Sequence, residues 1–130
     1  MYIKRFLEED IGKYLNKPEI IAIIGPRQAG KTTLLKHFYE NLNNAIFLDF
    51  EDRQTLELFT EDIDSFIKLY VRKYDYVFID EFQYAQEGGK NLKNIYDQCK
   101  AKIIISGSSA SELSIQSIKF LVGRIFVFTL

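Results

Sequence analysis

The sequence predicts an α/β fold, a three-layer α/β/α sandwich on a parallel five-stranded sheet. Three observations carry that expectation. Five short apolar runs read as strands, and the first, 20–24, lacks polar alternation as expected of a central strand covered on both faces. Segments with apolar residues at three- and four-residue spacing separate most of these runs and read as helices. Strand and helix therefore alternate along the chain, which implies right-handed crossovers with helices on both faces of the sheet.

Taken in order, residues 4–15 place Leu7, Ile11 and Tyr14/Leu15 on one stripe among Lys4, Arg5, Glu8, Glu9, Asp10 and Lys13. Residues 1–18 are therefore expected to hold an amphipathic helix that packs on a core formed by 19–130, although Gly12 weighs against the helix. A partner-docking helix is the other reading. The first strand is Ile20-Ile21-Ala22-Ile23-Ile24, and the helix after it carries Leu34, Leu35, Phe38, Tyr39 and Leu42. Asn41, Asn43 and Asn44 mark a turn before a second strand, Ala45-Ile46-Phe47-Leu48-Asp49-Phe50. Leu56, Phe59, Ile63, Phe66, Ile67, Tyr70 and Val71 recur at helical spacing, with a break expected near Thr60. Lys68, Arg72 and Lys73 on that helix read as a solvated face rather than a nucleic-acid contact, because Asp62 and Asp64 lie close by. The third strand is Tyr76-Val77-Phe78-Ile79-Asp80, expected to continue into Glu81-Phe82-Gln83. Gly88-Gly89 precedes a helix with Leu92, Ile95, Tyr96 and Cys99. The fourth strand, Lys102-Ile103-Ile104-Ile105-Ser106, ends in Gly107-Ser108-Ser109, and a helical stretch with Leu113, Ile115, Ile118 and Leu121 follows. Gly123-Arg124 opens the fifth strand, 125–130.

At 130 residues and 47% apolar composition the chain has room for one domain with a proper core and is not a disordered sequence. A net charge of −1 supplies no global field toward nucleic acid or an acidic membrane. No apolar run approaches the roughly eighteen residues of a membrane span, and the single cysteine, Cys99, cannot form an internal disulfide. The expectation is a cytoplasmic protein without a membrane partner. Because the chain stops on an apolar strand, more protein is expected to follow in the natural gene.

The chemistry centres on Gly25-Pro26-Arg27-Gln28-Ala29-Gly30-Lys31-Thr32-Thr33, a glycine, four residues, then Gly-Lys-Thr, placed between a strand and a helix. This is the Walker A or P-loop spacing. Gly25 and Gly30 allow the backbone to curl and bring amide N–H groups close to a polyphosphate, and the helix that starts near Lys31 adds its positive end. Lys31 is expected on the β- and γ-phosphates and the Thr32 hydroxyl on Mg²⁺. Asp80-Glu81 after four apolar positions forms a Walker B pair. Asp80 is expected to hold the metal alongside Thr32, and Glu81 to polarise the water that attacks the γ-phosphate. Ser106, Ser108 and Ser109 fall at a strand end, where ligands of open parallel sheets sit, so one of them is expected near the γ-phosphate. Arg124 has two readings, a phosphoryl-stabilising arginine or the partner of a surface carboxylate. Arg27 adjoins the phosphates or faces solvent. His37 reads as ordinary surface and Cys99 as packed rather than reactive.

On these motifs the chain resembles the archaeal and bacterial AAA-type ATPases of the STAND-like P-loop group. The matches are Gly-Pro-Arg-Gln-x-Gly-Lys-Thr-Thr at 25–33, apolar-apolar-Asp-Glu-apolar-Gln at 78–83, Gly-Ser-Ser at 107–109 and Gly-Arg at 123–124. The resemblance implies an additional-strand P-loop NTPase core with strand order 5-1-4-3-2, ATP as nucleotide, and Arg124 as a nucleotide-sensing arginine. It also implies a lid and a C-terminal domain beyond this segment that sets the biological partner. A homo-oligomer fits too, since such ATPases often complete each site from a neighbour.

Two functions follow: an ATP hydrolase driving a conformational switch or remodelling a partner, and an ATP/ADP-binding regulatory module that hydrolyses little. A small-molecule kinase is disfavoured by the Glu after the Walker B Asp. A GTPase is disfavoured because the one string like Asn-Lys-x-Asp, Asn16-Lys17-Pro18-Glu19, precedes the P-loop and ends in Glu. Scattered Lys and Arg interleaved with acids leave nucleic-acid binding open but unsupported.

Overall fold

Among the described residues the apolar runs form five strands of one sheet: β1 (Ile20–Gly25), β2 (Ala45–Asp49), β3 (Tyr76–Asp80), β4 (Lys102–Ser108) and β5 (Ile125–Thr129). In the computed structural model, which describes residues 2–26, 30–86, 88–108 and 121–130, the paired strands run parallel in the order β2-β3-β4-β1-β5. Read from the other edge, this is the order 5-1-4-3-2 that the family resemblance implies. The expected helix around Leu113, Ile115 and Ile118, together with Arg27, Gln28, Ala29 and Ser109, lies outside the described residues.

Side chains alternate across a strand, and in the central strands β1, β3 and β4 both faces are apolar because both are covered. Ile20, Ala22, Val77, Ile79, Ile103 and Ile105 join one core with Phe59, Phe66, Leu92 and Ile95. Those partners come from α3 (Arg53–Glu61), α4 (Ile63–Tyr70) and α5 (Gly88–Gln98). Ile21, Ile23, Phe78 and Ile104 join the opposite core with Ile11, Leu34, Leu35 and Phe38. That face is covered by α1 (Tyr2–Tyr14) and α2 (Lys31–Glu40). Among the described residues no helix is long and apolar enough to cross a membrane.

The first helix docks on its own sheet. Ile11 is fully buried, and the Tyr14 ring packs on Phe126 and Phe128 of the edge strand with centroids 4.4 and 5.6 Å away. Burying such an isoleucine is worth about 1.5–3 kcal/mol, more than the ~1 kcal/mol that a helical glycine costs, so α1 continues through Gly12.

Several boundaries differ from the sequence expectation by a residue or more. The break expected near Thr60 falls at Asp62, which ends α3 and caps α4, its carboxylate accepting from the Ser65 N–H at 3.2 Å and the Ser65 hydroxyl at 2.7 Å. The third strand does not continue past Asp80. Glu81 adopts a left-handed conformation (φ 60°, ψ 45°) and turns the chain into a 3-10 turn, Phe82–Tyr84, that buries Phe82 against Phe50 and Phe59. The fourth strand runs longer than expected, because Gly107 and Ser108 pair with Ile24 and Gly25 of β1.

Lys102 opens β4 as a buried lysine whose Nζ donates to the carbonyls of Lys17, at 2.6 Å, and Glu19. Burial pulls its pKa down from 10.5 to about 8, against a smaller upward pull from Glu19. A neutral amine still has two N–H groups for the two carbonyls. Between about pH 8 and 10.5 the folded chain releases this proton while the unfolded chain keeps it, so stability rises with pH across that window. Denaturant melts at intervals over this range are expected to show a rise that Lys102→Met lacks. A second test concerns Gly88, where an added Cβ would sit 2.8 Å from the tip of the buried Phe82 ring and 3.0 Å from the Ala85 Cβ. Gly88→Ala is expected to lower unfolding free energy by about 1–3 kcal/mol in urea titrations.

Candidate functional site

The carboxyl ends of the parallel strands meet along one edge, and the phosphate-loop sequence begins there at Gly25. Gly30 sits at φ 88°, ψ 18°, a region that disfavours any residue with a Cβ, and caps α2 without a side chain. The first turn of α2 carries no acidic residue, so its N–H groups and the positive end of the dipole are left for an anion. Lys31 is buried, with its Nζ donating to the Gly25 and Pro26 carbonyls, each at 2.9 Å. Two neutral carbonyls thus hold the Lys31 side chain beside the loop.

Opposite Lys31 and Thr32 stands Asp80 at the end of β3, only 3% exposed. Its Oδ2 accepts from the Thr32 hydroxyl at 2.8 Å and its Oδ1 from the Ser106 hydroxyl. The buried Ser106 also accepts the Glu81 N–H at 3.0 Å. The Glu81 carboxylate accepts from the Gln83 side-chain amide at 2.9 Å, and the Gln83 amide oxygen accepts the Ser108 N–H at 3.2 Å. Gly30, Lys31, Thr32, Thr33, Asp80 and Glu81 thereby line one cleft of about 560 Å³, together with Asp49 and Glu51.

The structure therefore brings the described part of residues 25–33, the Asp80-Glu81 pair and two of the serines together. It does not bring Arg124 to them. The Arg124 carbonyl accepts the Ile20 N–H at 2.8 Å, at the amino end of β1, and its guanidinium lies 3.6 Å from Asp97 of α5. A residue that opens a parallel strand stands at the edge where strands begin, a strand length of roughly 16 Å from the loop. Arg124 as an arginine acting on its own chain's nucleotide is thus corrected to the surface pairing. Sequence reading did not single out Asp49, Glu51 or the bridging role of Gln83. Asp49 is the last residue of β2, one before the Phe50 at which the sequence reading ends that strand, and it lies in register with Asp80. His37 is exposed with Glu8 nearby at 3.7 Å, and Cys99 packs against the core, its thiol pushed up by burial with a smaller lowering from Arg72.

A family model described as an AAA domain matches residues 17–130. The chain belongs to this family. The AAA domain is 32% identical to the uncharacterized protein MJ1637 of Methanocaldococcus jannaschii, in an alignment covering 85% of this chain and 27% of that protein. The chain thus spans about a quarter of the length of that curated relative. Among solved structures, a DNA replication initiation factor superposes with a TM-score of 0.67 at 16% identity, covering 99% of this chain and 45% of the other. A chain of Drosophila ORC bound to DNA superposes with a TM-score of 0.61 at 11% identity, covering 99% and 91%. At these identities the two structures share the fold. The AAA domain is an AAA-type P-loop ATPase core, and nucleotide binding of the ATPase type is the function its family supports.

Ser106 is buried between two groups that both need it. Ser106→Ala leaves the Glu81 N–H without its acceptor and Asp80 with one hydroxyl donor fewer. A loss of about 1–3 kcal/mol in unfolding free energy is expected by denaturant titration.

Proposed function

We propose that this AAA domain binds ATP with Mg²⁺ and hydrolyses it to ADP and phosphate, driving a conformational switch or the remodelling of a partner. The 2.8 Å bond between Thr32 and Asp80 carries the reading, because the hydroxyl after the loop lysine and the acid ending β3 meet inside the cleft. Both are hard oxygen donors, the kind that suits magnesium. When bound, the ion supplies positive charge to the phosphate oxygens.

The chain's own residues account for the remaining work. Gly25, Pro26, Arg27, Gln28, Ala29, Gly30 and Thr33 belong to the backbone cradle for the phosphates. Lys31 exchanges two neutral carbonyls for phosphate oxygens, and Glu81 accepts a hydrogen from the attacking water. Four carboxyl side chains and one lysine line the cleft among the described residues, so a bare triphosphate meets repulsion there. Chelating divalent cations is therefore expected to weaken ATP binding at least tenfold by calorimetry, a rough bound for unscreened like charges at short range.

The regulatory-module reading is favoured by one observation. Arg124 stands at the far edge, so Lys31 is the cation lining the cleft among the described residues. A homo-oligomer in which a neighbouring copy completes the site would combine that arrangement with turnover. The DNA in the Drosophila ORC structure is not extended to this chain, whose net charge is −1 with basic residues interleaved among acids.

Lys31→Ala is expected to abolish measurable ATP binding. Glu81→Gln is expected to keep binding while lowering phosphate release by about 10²-fold or more. Equal phosphate release from wild type and Glu81→Gln at the no-enzyme background decides for the regulatory module.

A further inference from the structure

One side chain joins the acid pair to the strand that flanks the phosphate loop. Gln83 uses both ends of its amide, Nε2 donating to Glu81 Oε2 at 2.9 Å and Oε1 accepting from the Ser108 N–H at 3.2 Å. The opposite orientation would set carbonyl oxygen against carboxylate and NH₂ against N–H, so the two partners fix the amide. Ser108 lies in register with Gly25, where the phosphate loop begins.

The backbone of Glu81 is held as firmly. Its left-handed turn is secured by the N–H bond to Ser106, whose hydroxyl also serves Asp80. A glutamate side chain has several rotatable bonds, and a fixed backbone does not by itself aim its carboxylate. Engaging Oε2 from Gln83 restricts that freedom in a side chain that lines the cleft, and Oε1 takes no part in the bond.

We propose that Gln83 is a positioning residue for ATP hydrolysis, orienting the Glu81 carboxylate by a bond anchored on the end of β4. This rests on the reading of Glu81 as the residue that orients the attacking water. Gln83→Met keeps the length and removes both bonds. Gln83→Glu keeps an acceptor for Ser108 but sets a second carboxylate against Glu81, so a residue that only anchored the strand would tolerate it.

The experiment measures steady-state phosphate release and ATP dissociation constants for wild type, Glu81→Gln, both Gln83 variants and the double variant Glu81→Gln/Gln83→Met. Both Gln83 variants are expected to lower kcat at least tenfold, with ATP Kd within twofold of wild type. The double variant is expected to hydrolyse no more slowly than Glu81→Gln alone, because Gln83 acts through Glu81. Wild-type turnover by Gln83→Glu, or a full tenfold additional loss in the double variant, overturns the proposal. If Glu81→Gln itself turns over like wild type, the assignment of Glu81 fails instead. Hydrogen exchange at the Ser108 amide then still reads the anchor. It is expected to accelerate at least tenfold in Gln83→Met, and an unchanged rate removes the link to β4.

Discussion

A carboxylate at the inner end of β3 is the constraint on which the rest of the site depends. Asp80 is 3% exposed, and a polar group at such a depth is tolerated only when its oxygens are engaged. Thr32 and Ser106 engage them from two directions, so the start of α2 and the course of β4 are both fixed relative to β3. The same serine accepts the Glu81 N–H, which makes the left-handed turn after Asp80 part of the arrangement. Removing one hydroxyl therefore reaches beyond one bond.

The walls of the cleft are backed by aromatic packing. Phe50 follows β2 and Phe82 follows the acid pair, and their rings stand 5.7 Å apart while both touch Phe59. The Phe50 N–H also donates to the Asp80 carbonyl at 3.0 Å. The segments that present Asp49, Glu51 and Glu81 thus rise from a closely packed base, and the side chains that face the cleft gain orientation from it.

Parallel topology divides the molecule by edge. The carboxyl edge gathers the loop, the acids and the serines, where nucleotide chemistry is supported. The amino edge carries bonds that hold the fold together, with Lys102 tied to the segment between α1 and β1 and Arg124 paired with Asp97. Belonging to the AAA domain family fits this division, and MJ1637, of which this chain covers 27%, carries the same core within a longer protein.

Much of this was present in local pattern. The apolar runs marked the strands, the first without alternation because burial on both faces imposes that composition, and the Gly-x4-Gly-Lys-Thr spacing placed a loop between the first strand and its helix. The strand-end position of Asp80-Glu81 followed from four apolar residues before it. What no local pattern contains is which side chains meet across strands. That Ser106 serves Asp80 while Ser108 serves Gln83 depends on β4 continuing its pairing to Gly25. That Arg124 faces away from the cleft depends on the direction in which the last strand enters the sheet. Backbone propensity and hydrophobic spacing act within a few residues, whereas hydrogen-bond partners 25 or 48 positions apart are chosen only when the sheet closes.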